Sequence, residues 1–200
     1  TMMSTPAAVD LRVLAKAGTM LYLGSTSSGT AGGVSFANED ILTKDLTSGA
    51  WSMFFDGSDV GLSSQDVDAF DVLADGRLVV STTGSASVSG VSAADEDLVA
   101  FTPTATGSTT KGSWAMYLDG SAVGLSSSSS EDVNGVSVDA TGIRLSTVGS
   151  FSVAGLSGDG SDIFTCAAAS TTSCSFSMYW DGSANGFSGE VTDSFDLVSP

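Results

Sequence analysis

The chain has 200 residues, of which 42% are hydrophobic, so it can bury a substantial core and does not have the composition of a disordered protein. It has 23 acidic residues, 6 basic residues and no histidine, and its formal net charge is −17. This charge excludes nucleic-acid binding through a basic patch, and an anionic membrane surface would repel the protein. No apolar run is long enough to cross a membrane, so we expect no membrane insertion.

In chain order, short apolar segments separated by turn residues predict a set of four antiparallel strands, A to D, that occurs three times. No segment has a helical period of useful length. The predicted fold class is therefore all-β, with three four-stranded antiparallel repeats. The predicted strands A to D are 9–15, 20–25, 40–44 and 51–55 in repeat one; 68–74, 77–83, 97–102 and 113–118 in repeat two; and 136–138, 143–147, 162–166 and 176–180 in repeat three.

Strand D carries the motif that marks each repeat. The motif reads WSMFFDGS at 51–58, WAMYLDGS at 114–121 and FSMYWDGS at 176–183. Self-similarity at a fixed period of tens of residues is typical of repeat architectures. We therefore treat 1–200 as a single repeat domain. Its predicted parts are repeat one at 8–65, repeat two at 66–131, repeat three at 132–190 and an extra strand at 191–198.

Both faces of strand D are apolar. In repeat two, alternation places Trp114, Met116 and Leu118 on one face and Tyr117 on the other. A strand that is apolar on both faces is covered on both faces. This pattern favours four-stranded sheets stacked face to face, like the blades of a β-propeller.

The segment SFDLV (194–198) repeats strand A without strands B to D after it. Three blades are too few for an ordinary closed propeller. Because an unpaired strand is a template for pairing with a second chain, we expect a homo-oligomer or a filament. The predicted self-association residues are Phe195, Asp196, Leu197 and Val198.

Most acidic residues fall in the B–C and D–A connections, which an up-and-down strand order places on one rim, with most basic residues near the opposite turns. The Asp-Gly-Ser turns and the carboxylates near them offer the oxygen ligands that Ca²⁺ prefers. The alternative is that each aspartate caps its own turn. The predicted calcium ligands are Asp56, Ser58, Asp59, Asp66, Asp68, Asp119 and Asp132.

The two cysteines, Cys166 and Cys174, flank a predicted hairpin loop. We expect them to form a disulfide, which would place the protein outside the cytoplasm. Two unpaired thiols are the alternative, and a metal site made from two thiols without histidine is less favoured.

Catalytic interpretations are weak because the absence of histidine excludes a Ser-His-Asp or Cys-His arrangement within the chain. Paired carboxylates can hydrolyse glycosides. Here, however, the acidic residues recur in register with the repeat, which indicates a structural role. We therefore expect no enzymatic activity, and a glycoside hydrolase is the least favoured function.

Three segments, WSMFFDGSDVGL (51–62), DVDAF (66–70) and GRLVVSTTG (76–84), resemble the β-propeller-like repeats of large secreted or surface proteins of bacteria. The resemblance covers residues 9–198. It implies a surface location and a non-enzymatic role, and it carries over no catalytic or ligand residues. The third copy departs from the pattern, since ANGF (184–187) stands where the first copy has DVGL (59–62).

The leading hypothesis is a non-enzymatic extracellular structural protein that self-associates into a filament or a surface layer. The alternative is a calcium-dependent binding or adhesion module at the cell surface, with a glycan or a protein as its ligand.

Overall fold

The computed structural model describes residues 11–15, 20–126 and 128–197, and within them the chain is all-β with antiparallel sheets. One short α-helix, α1 (Gly120–Val123), and two 3₁₀ turns, Ser58–Val60 and Ser183–Asn185, lie among these residues. None of these helices is long and apolar enough to cross a membrane. The strands are β1 (Leu11–Ala15), β2 (Met20–Ser25), β3 (Gly29–Ala31), β4 (Val34–Phe36), β5 (Ile41–Asp45), β6 (Trp51–Phe55), β7 (Val67–Val72), β8 (Leu78–Thr82), β9 (Ala86–Val88), β10 (Val91–Ala93), β11 (Leu98–Ala105), β12 (Lys111–Leu118), β13 (Val133–Asp139), β14 (Gly142–Thr147), β15 (Phe151–Val153), β16 (Leu156–Gly158), β17 (Ile163–Ser170) and β18 (Ser173–Trp180).

Three sheets have four strands each. The first sheet has the order β1-β2-β5-β6, the second β7-β8-β11-β12 and the third β13-β14-β17-β18. The part of the chain that the structure describes does not close these sheets into a propeller or a barrel. Between the second and third strands of each sheet, a small hairpin (β3–β4, β9–β10 or β15–β16) stands where the sequence predicted only a polar connection.

The second sheet lies between the other two, and it is buried on both faces. Every residue of β7 and β8 is buried. We call the face that carries Trp114 and Met116 the front face of the second sheet. This face packs on the first sheet, and the opposite or back face, which carries Val79, packs on the third. The third sheet repeats the arrangement, since its own front face, which carries Phe176 and Met178, packs on the second sheet.

A β-bulge corrects the predicted facing of strand D. Leu98 pairs with Leu118, but the next pair is Val99 with Met116, so Tyr117 is an extra residue in β12. The bulge moves Leu118 into the core between the second and third sheets, on the opposite face from Met116. The first and third sheets have the same irregularity at the equivalent position of their last strands.

The end of strand C in repeat two is also corrected. The sequence predicted that the strand stops before Pro103, but β11 continues to Ala105. Proline is tolerated there because β8 pairs with β11 only as far as Phe101, and a second bulge separates Pro103 from Ala105.

The extra strand predicted at 191–198 is not formed by residues 191–197, and Val198 lies outside the described residues. The Thr192 N–H donates to the Gly160 carbonyl at 2.7 Å, just as Val67 and Val133 at the starts of β7 and β13 donate to carbonyl groups in the connection after the small hairpin of the preceding sheet. The segment therefore begins like a first strand. It does not continue as one, because the described residues provide no second strand beside it.

Candidate functional site

In each four-stranded sheet, a buried aspartate joins the end of the small hairpin to the Asp-Gly-Ser turn. In the second sheet, Asp97 accepts the N–H groups of Ala94 and Gly120, both at 2.8 Å. Asp40 and Asp162 accept equivalent pairs of N–H groups in the first and third sheets, at 2.8 to 2.9 Å. Burial raises the pKa of Asp40 and Asp97, and the N–H donors oppose that rise. These carboxylates therefore hold two connections of each sheet together.

The glycine of each Asp-Gly-Ser turn is required by close packing. A Cβ atom at Gly120 would lie 2.2 Å from the carbonyl oxygen of Glu96, and one at Gly57 would lie 2.4 Å from that of Glu39. Gly57 has a φ of −67°, which any residue can adopt. The requirement is therefore steric, and the turn lies directly against the start of the third strand.

The first aspartate of the motif caps its own turn, as the alternative to calcium binding predicted. Asp119 is the N-cap of α1, and its Oδ1 accepts the Ala122 N–H at 2.9 Å and the Ser121 hydroxyl at 2.8 Å. Asp181 accepts the equivalent backbone and hydroxyl groups at 2.8 Å, and these two bonds lower its pKa.

The predicted calcium ligands are distributed over several elements. Asp56 accepts the Ser58 hydroxyl at 2.7 Å, whereas the Oδ2 of Asp59 accepts the Thr110 N–H of the second sheet at 2.8 Å. Among residues 11–15, 20–126 and 128–197, no three Asp, Glu, Cys or His side chains are placed to hold one metal ion together. Calcium binding remains a prediction. The other predicted ligands lie before or within β7, at the N-cap of α1 and before β13: Asp66, Asp68, Asp119 and Asp132.

One glutamate of the B–C connection has an unusual protonation equilibrium. Glu96 is 2% exposed, and burial raises its pKa to about 7, with Asp95 and Asp97 adding to the rise. A carboxyl with this pKa is partly protonated near neutral pH, so we expect the stability of this connection to depend on pH.

The residues after each Asp-Gly-Ser turn form the contact between consecutive sheets. We call 58–62, 121–125 and 183–187 the plug segments. In the first plug segment, Leu62 is fully buried in the core between the first and second sheets, together with Val88 of β9. The Trp114 Nε1–H of the second sheet donates to the Val60 carbonyl at 3.0 Å. The plug of one sheet thus occupies the space between the front face and the small hairpin of the next.

The second plug segment occupies the equivalent space on the third sheet. Val123 and Leu125 are buried in a cluster with Phe151 and Val153 of the third hairpin and with Phe164. In both junctions the backbone amide of the motif aspartate donates to the last turn of the next sheet. Asp56 donates to the Thr110 hydroxyl, and Asp119 donates to the Thr171 carbonyl. The same contact is therefore built twice in one chain.

These junctions correct the predicted separation of the two rims. The turn before β12, which the strand order placed on the basic rim, reaches the D–A connection of the first sheet. Thr110 binds Asp59, and Lys111 borders the same cleft. Acidic and basic positions therefore meet at the junction.

The front face and hairpin of the first sheet enclose a cavity at the position where the other two sheets receive a plug. The cavity has a volume of about 230 Å³, and its walls are mostly apolar. It is lined by Leu23, Gly24, Ser25, Thr30, Ala31, Phe36, Asp40, Leu42 and Trp51.

The third plug segment is exposed. Phe187, which stands where Leu62 and Leu125 stand in the other two, is 38% exposed and has its ring 5.8 Å from that of Trp180. Asn185 is also exposed, whereas its counterpart Val123 is buried. The chain therefore has an open cavity on its first sheet and an exposed plug on its third.

The predicted disulfide between Cys166 and Cys174 is present, and it links β17 to β18. The two Cα atoms are 5.2 Å apart, which is within the usual range for a disulfide. Cys166 is fully buried in the core between the second and third sheets, so the bond also fixes the front face of the third sheet.

Comparisons with known proteins do not assign the chain to a family. No model of a protein family matches it, and no curated protein matches its sequence.

The plug residues Leu62, Leu125 and Phe187 were not among the predicted functional residues. A signal was present, since the motif continues as DVGL, AVGL and ANGF after the Asp-Gly-Ser turn. The apolar residue at the end of each copy would have indicated a buried contact. Sequence reasoning assigned these segments to calcium binding or turns because of their aspartates.

Proposed function

We propose that this protein is a non-enzymatic extracellular structural protein whose three repeats are propeller-like blades, and that it self-associates head to tail into a filament or surface layer. The observation that carries the proposal is the repeated contact between sheets. The front face of the second sheet covers the first, and that of the third covers the second. The front face of the first sheet carries Leu42 and Trp51, and apart from its own small hairpin no other described sheet covers it.

Exposed apolar side chains support association through the two outer sheets. Among the described residues, the large hydrophobic side chains that are exposed lie on the first or third sheet or next to the third. The second sheet, which has a partner on each side, carries none. These exposed residues are Leu46, Val148, Tyr179, Phe187 and Val191.

The two outer surfaces differ from each other, which favours a filament over a symmetric dimer. The front face of the first sheet carries Leu42 and Trp51 beside an open cavity, with Lys44 next to Trp51, whereas the back face of the third sheet carries Arg144 and Tyr179, with the guanidinium carbon 5.3 Å from the ring centre. A contact between two different surfaces is heterologous, and such contacts give open filaments when their rotation does not close a ring.

The C-terminal segment provides a second contact in this proposal. Residues 192–197 follow the third plug segment as β7 follows the first. In an assembly that repeats the internal junction, Phe195, Asp196 and Leu197 pair with β2 of the next copy, where β1 pairs in this structure. Val198 extends the same segment.

An extracellular location is part of the proposal. The disulfide supports it, because such bonds persist in oxidising compartments. A mechanical, non-enzymatic role is part of the same proposal, and it is supported by acidic residues that recur in register with the repeat.

Light scattering coupled to size exclusion, sedimentation velocity and negative-stain electron microscopy test the proposal. We expect mass to increase with protein concentration and linear particles one chain wide. A monomer that remains monodisperse from micromolar to millimolar concentration, with and without Ca²⁺, would overturn self-association. Discrete rings would keep self-association but contradict the filament.

A further inference from the structure

We infer that Phe187 of one copy inserts into the cavity beside Trp51 on the first sheet of a second copy. This inference rests on the proposed self-association and names its contact site. The chain forms the same contact twice internally, at Leu62 and at Leu125. Among the described residues, the cavity of the first sheet receives no plug and the third plug segment enters no cavity.

The residues around the cavity of the first sheet correspond one by one to the residues that surround Leu62 on the second sheet. Strand register places Leu23, Leu42 and Trp51 where the second sheet has Val80, Val99 and Trp114, which are packed in the core that contains Leu62. The hairpins correspond as well. Ala31 of the first hairpin stands where the second and third have Val88 and Val153, and those two residues are buried in the junctions whereas Ala31 is only half-buried.

The size and polarity of the cavity suit an aromatic side chain. An apolar cavity of about 150 Å³ is known to accept benzene, and this one has a volume of about 230 Å³. Phe187 is larger than the leucine at the two internal junctions, whose sockets are already filled. The cavity therefore has room for the ring, and Phe187 has an exposed ring to bury.

A polar contact of the internal junction is also available to the second copy. In this chain, the Trp114 indole N–H donates to the carbonyl of Val60, two residues before Leu62. Trp51 occupies the equivalent position in the cavity wall, and Asn185 is two residues before Phe187. Docking in the same geometry directs the Trp51 N–H to the Asn185 carbonyl.

Charge favours this pairing of surfaces in a chain that otherwise repels itself. The ammonium group of Lys44 lies 4.8 Å from the centre of the Trp51 ring, so a positive charge lies beside the cavity. The plug side carries Asp181, directly before the third plug segment. In the internal junction the equivalent Asp56 contacts Thr110 in the last turn of the next sheet, so the same geometry brings Asp181 toward the last turn of the first sheet of the second copy, where Lys44 lies.

Two substitutions test the inference from the two sides. Phe187→Asp places a charge on the plug, and Ala31→Trp fills the cavity. We expect each to weaken association about 10- to 100-fold in sedimentation velocity, because each removes the burial of an aromatic ring. Phe187 is exposed, so F187D leaves the fold intact. Ala122→Asp is the matched control, since it adds the same charge to the internal plug at a position where the first plug naturally carries Asp59.

Mixing the two variants separates this contact from other ways of associating. F187D retains an intact cavity and A31W retains an intact plug, so an equimolar mixture should form a one-to-one dimer and no longer species. If wild type associates and F187D associates equally well, this contact is wrong although self-association stands. If wild type remains monomeric, both proposals fail. Loss of association in A122D as well would show a charge effect only and would overturn the assigned contact.

Discussion

Asp97 joins the segments at Ala94 and Gly120 in the second sheet, because its side chain accepts one backbone N–H from each of them. The equivalent aspartates of the other sheets do the same. A buried carboxylate in this position accepts hydrogen bonds from backbone N–H groups that are not paired with a neighbouring strand. Its value to the fold is therefore the satisfaction of two N–H groups, more than any charge that it carries.

Asp97→Ala should destabilise the protein by about 2–4 kcal/mol, because it leaves two buried donors without an acceptor. Urea unfolding followed by tryptophan fluorescence measures the change. Glu190→Ala, at an exposed carboxylate outside the predicted self-association residues, is the control and should change the free energy of unfolding by less than about 0.5 kcal/mol. Equal effects of the two substitutions would show that Asp97 has no special role.

Glu96 should make the stability of the protein fall as pH rises from 6 to 8. Its pKa in the folded protein is about 7, against an ordinary value of 4.5, so the folded state binds the proton more tightly. The stabilisation is complete below pH 4.5 and is lost as pH rises through 7. We expect a loss of about 1 kcal/mol over this range. Urea unfolding across the range measures it, and Glu96→Gln, which does not titrate, should remove that part of the slope. A slope equal to that of wild type in E96Q would assign the effect to other groups.

The motif that ends in a plug segment both forms a turn within its own sheet and makes the contact with the next sheet. Asp119 and Gly120 fix the turn, through capping and close packing, and the turn places Val123 and Leu125 into the next sheet. A sheet and the plug segment that follows it therefore form one structural unit, and the three sheets stack by repeating that unit.

The disulfide acts on the last two strands of the third sheet. Removing it in Cys166→Ala/Cys174→Ala should lower the free energy of unfolding by about 2–3 kcal/mol, because a short loop in the unfolded chain is released. Urea unfolding with and without reductant measures the effect. Reductant should destabilise wild type and leave the double variant unchanged. A wild type that is insensitive to reductant, after loss of the bond has been verified by mass spectrometry, would contradict this.

The sequence predicted strands better than it predicted their surroundings. Alternating residues located β2 and β6 at the bounds that the structure has, and Asp75-Gly76 correctly separated β7 from β8. The bulge at Tyr117 could not be predicted, since it depends on pairing with Leu98 and Val99 in a neighbouring strand. Alternation alone therefore placed Leu118 on the wrong face.

The same reason explains what the sequence missed in the candidate site. The small hairpins are three-residue strands with polar tips, and each packs on the last strand of its own sheet, a contact that alternation along the chain does not show. Asp97 looks like any acid of the B–C connection until the fold brings Gly120 beside it. The cysteine pair was predicted correctly because its partners are close in the chain.

Across the whole molecule, the net charge of −17 opposes association of identical chains. Salt screens this repulsion, with a Debye length of about 10 Å at 0.1 M, whereas burial of an apolar plug is not weakened by salt. We therefore expect self-association to strengthen several-fold between low and moderate NaCl in sedimentation velocity. Weakening by salt would indicate that ion pairs, and not apolar contacts, hold the copies together.

Comparing CaCl₂ with NaCl at equal ionic strength distinguishes an effect of calcium binding on self-association from the screening of charge by any salt. A calcium site at the first plug should give heat in titration calorimetry and a further gain in association, and Asp59→Asn should reduce both. Ala122→Asp, which adds a carboxylate to the second plug, is the matched comparison. No heat and no difference between the two salts would remove the calcium prediction.

The antiparallel pairing of β1 with β2 has a consequence for how fast copies join. In the proposed assembly, an incoming C-terminal segment pairs with the edge of β2 that β1 already holds, so β1 must leave before that segment can pair. We therefore expect joining to be limited by a unimolecular opening and not by collision. At high concentration, the half-time of assembly should become independent of concentration, and completed assemblies should exchange subunits slowly.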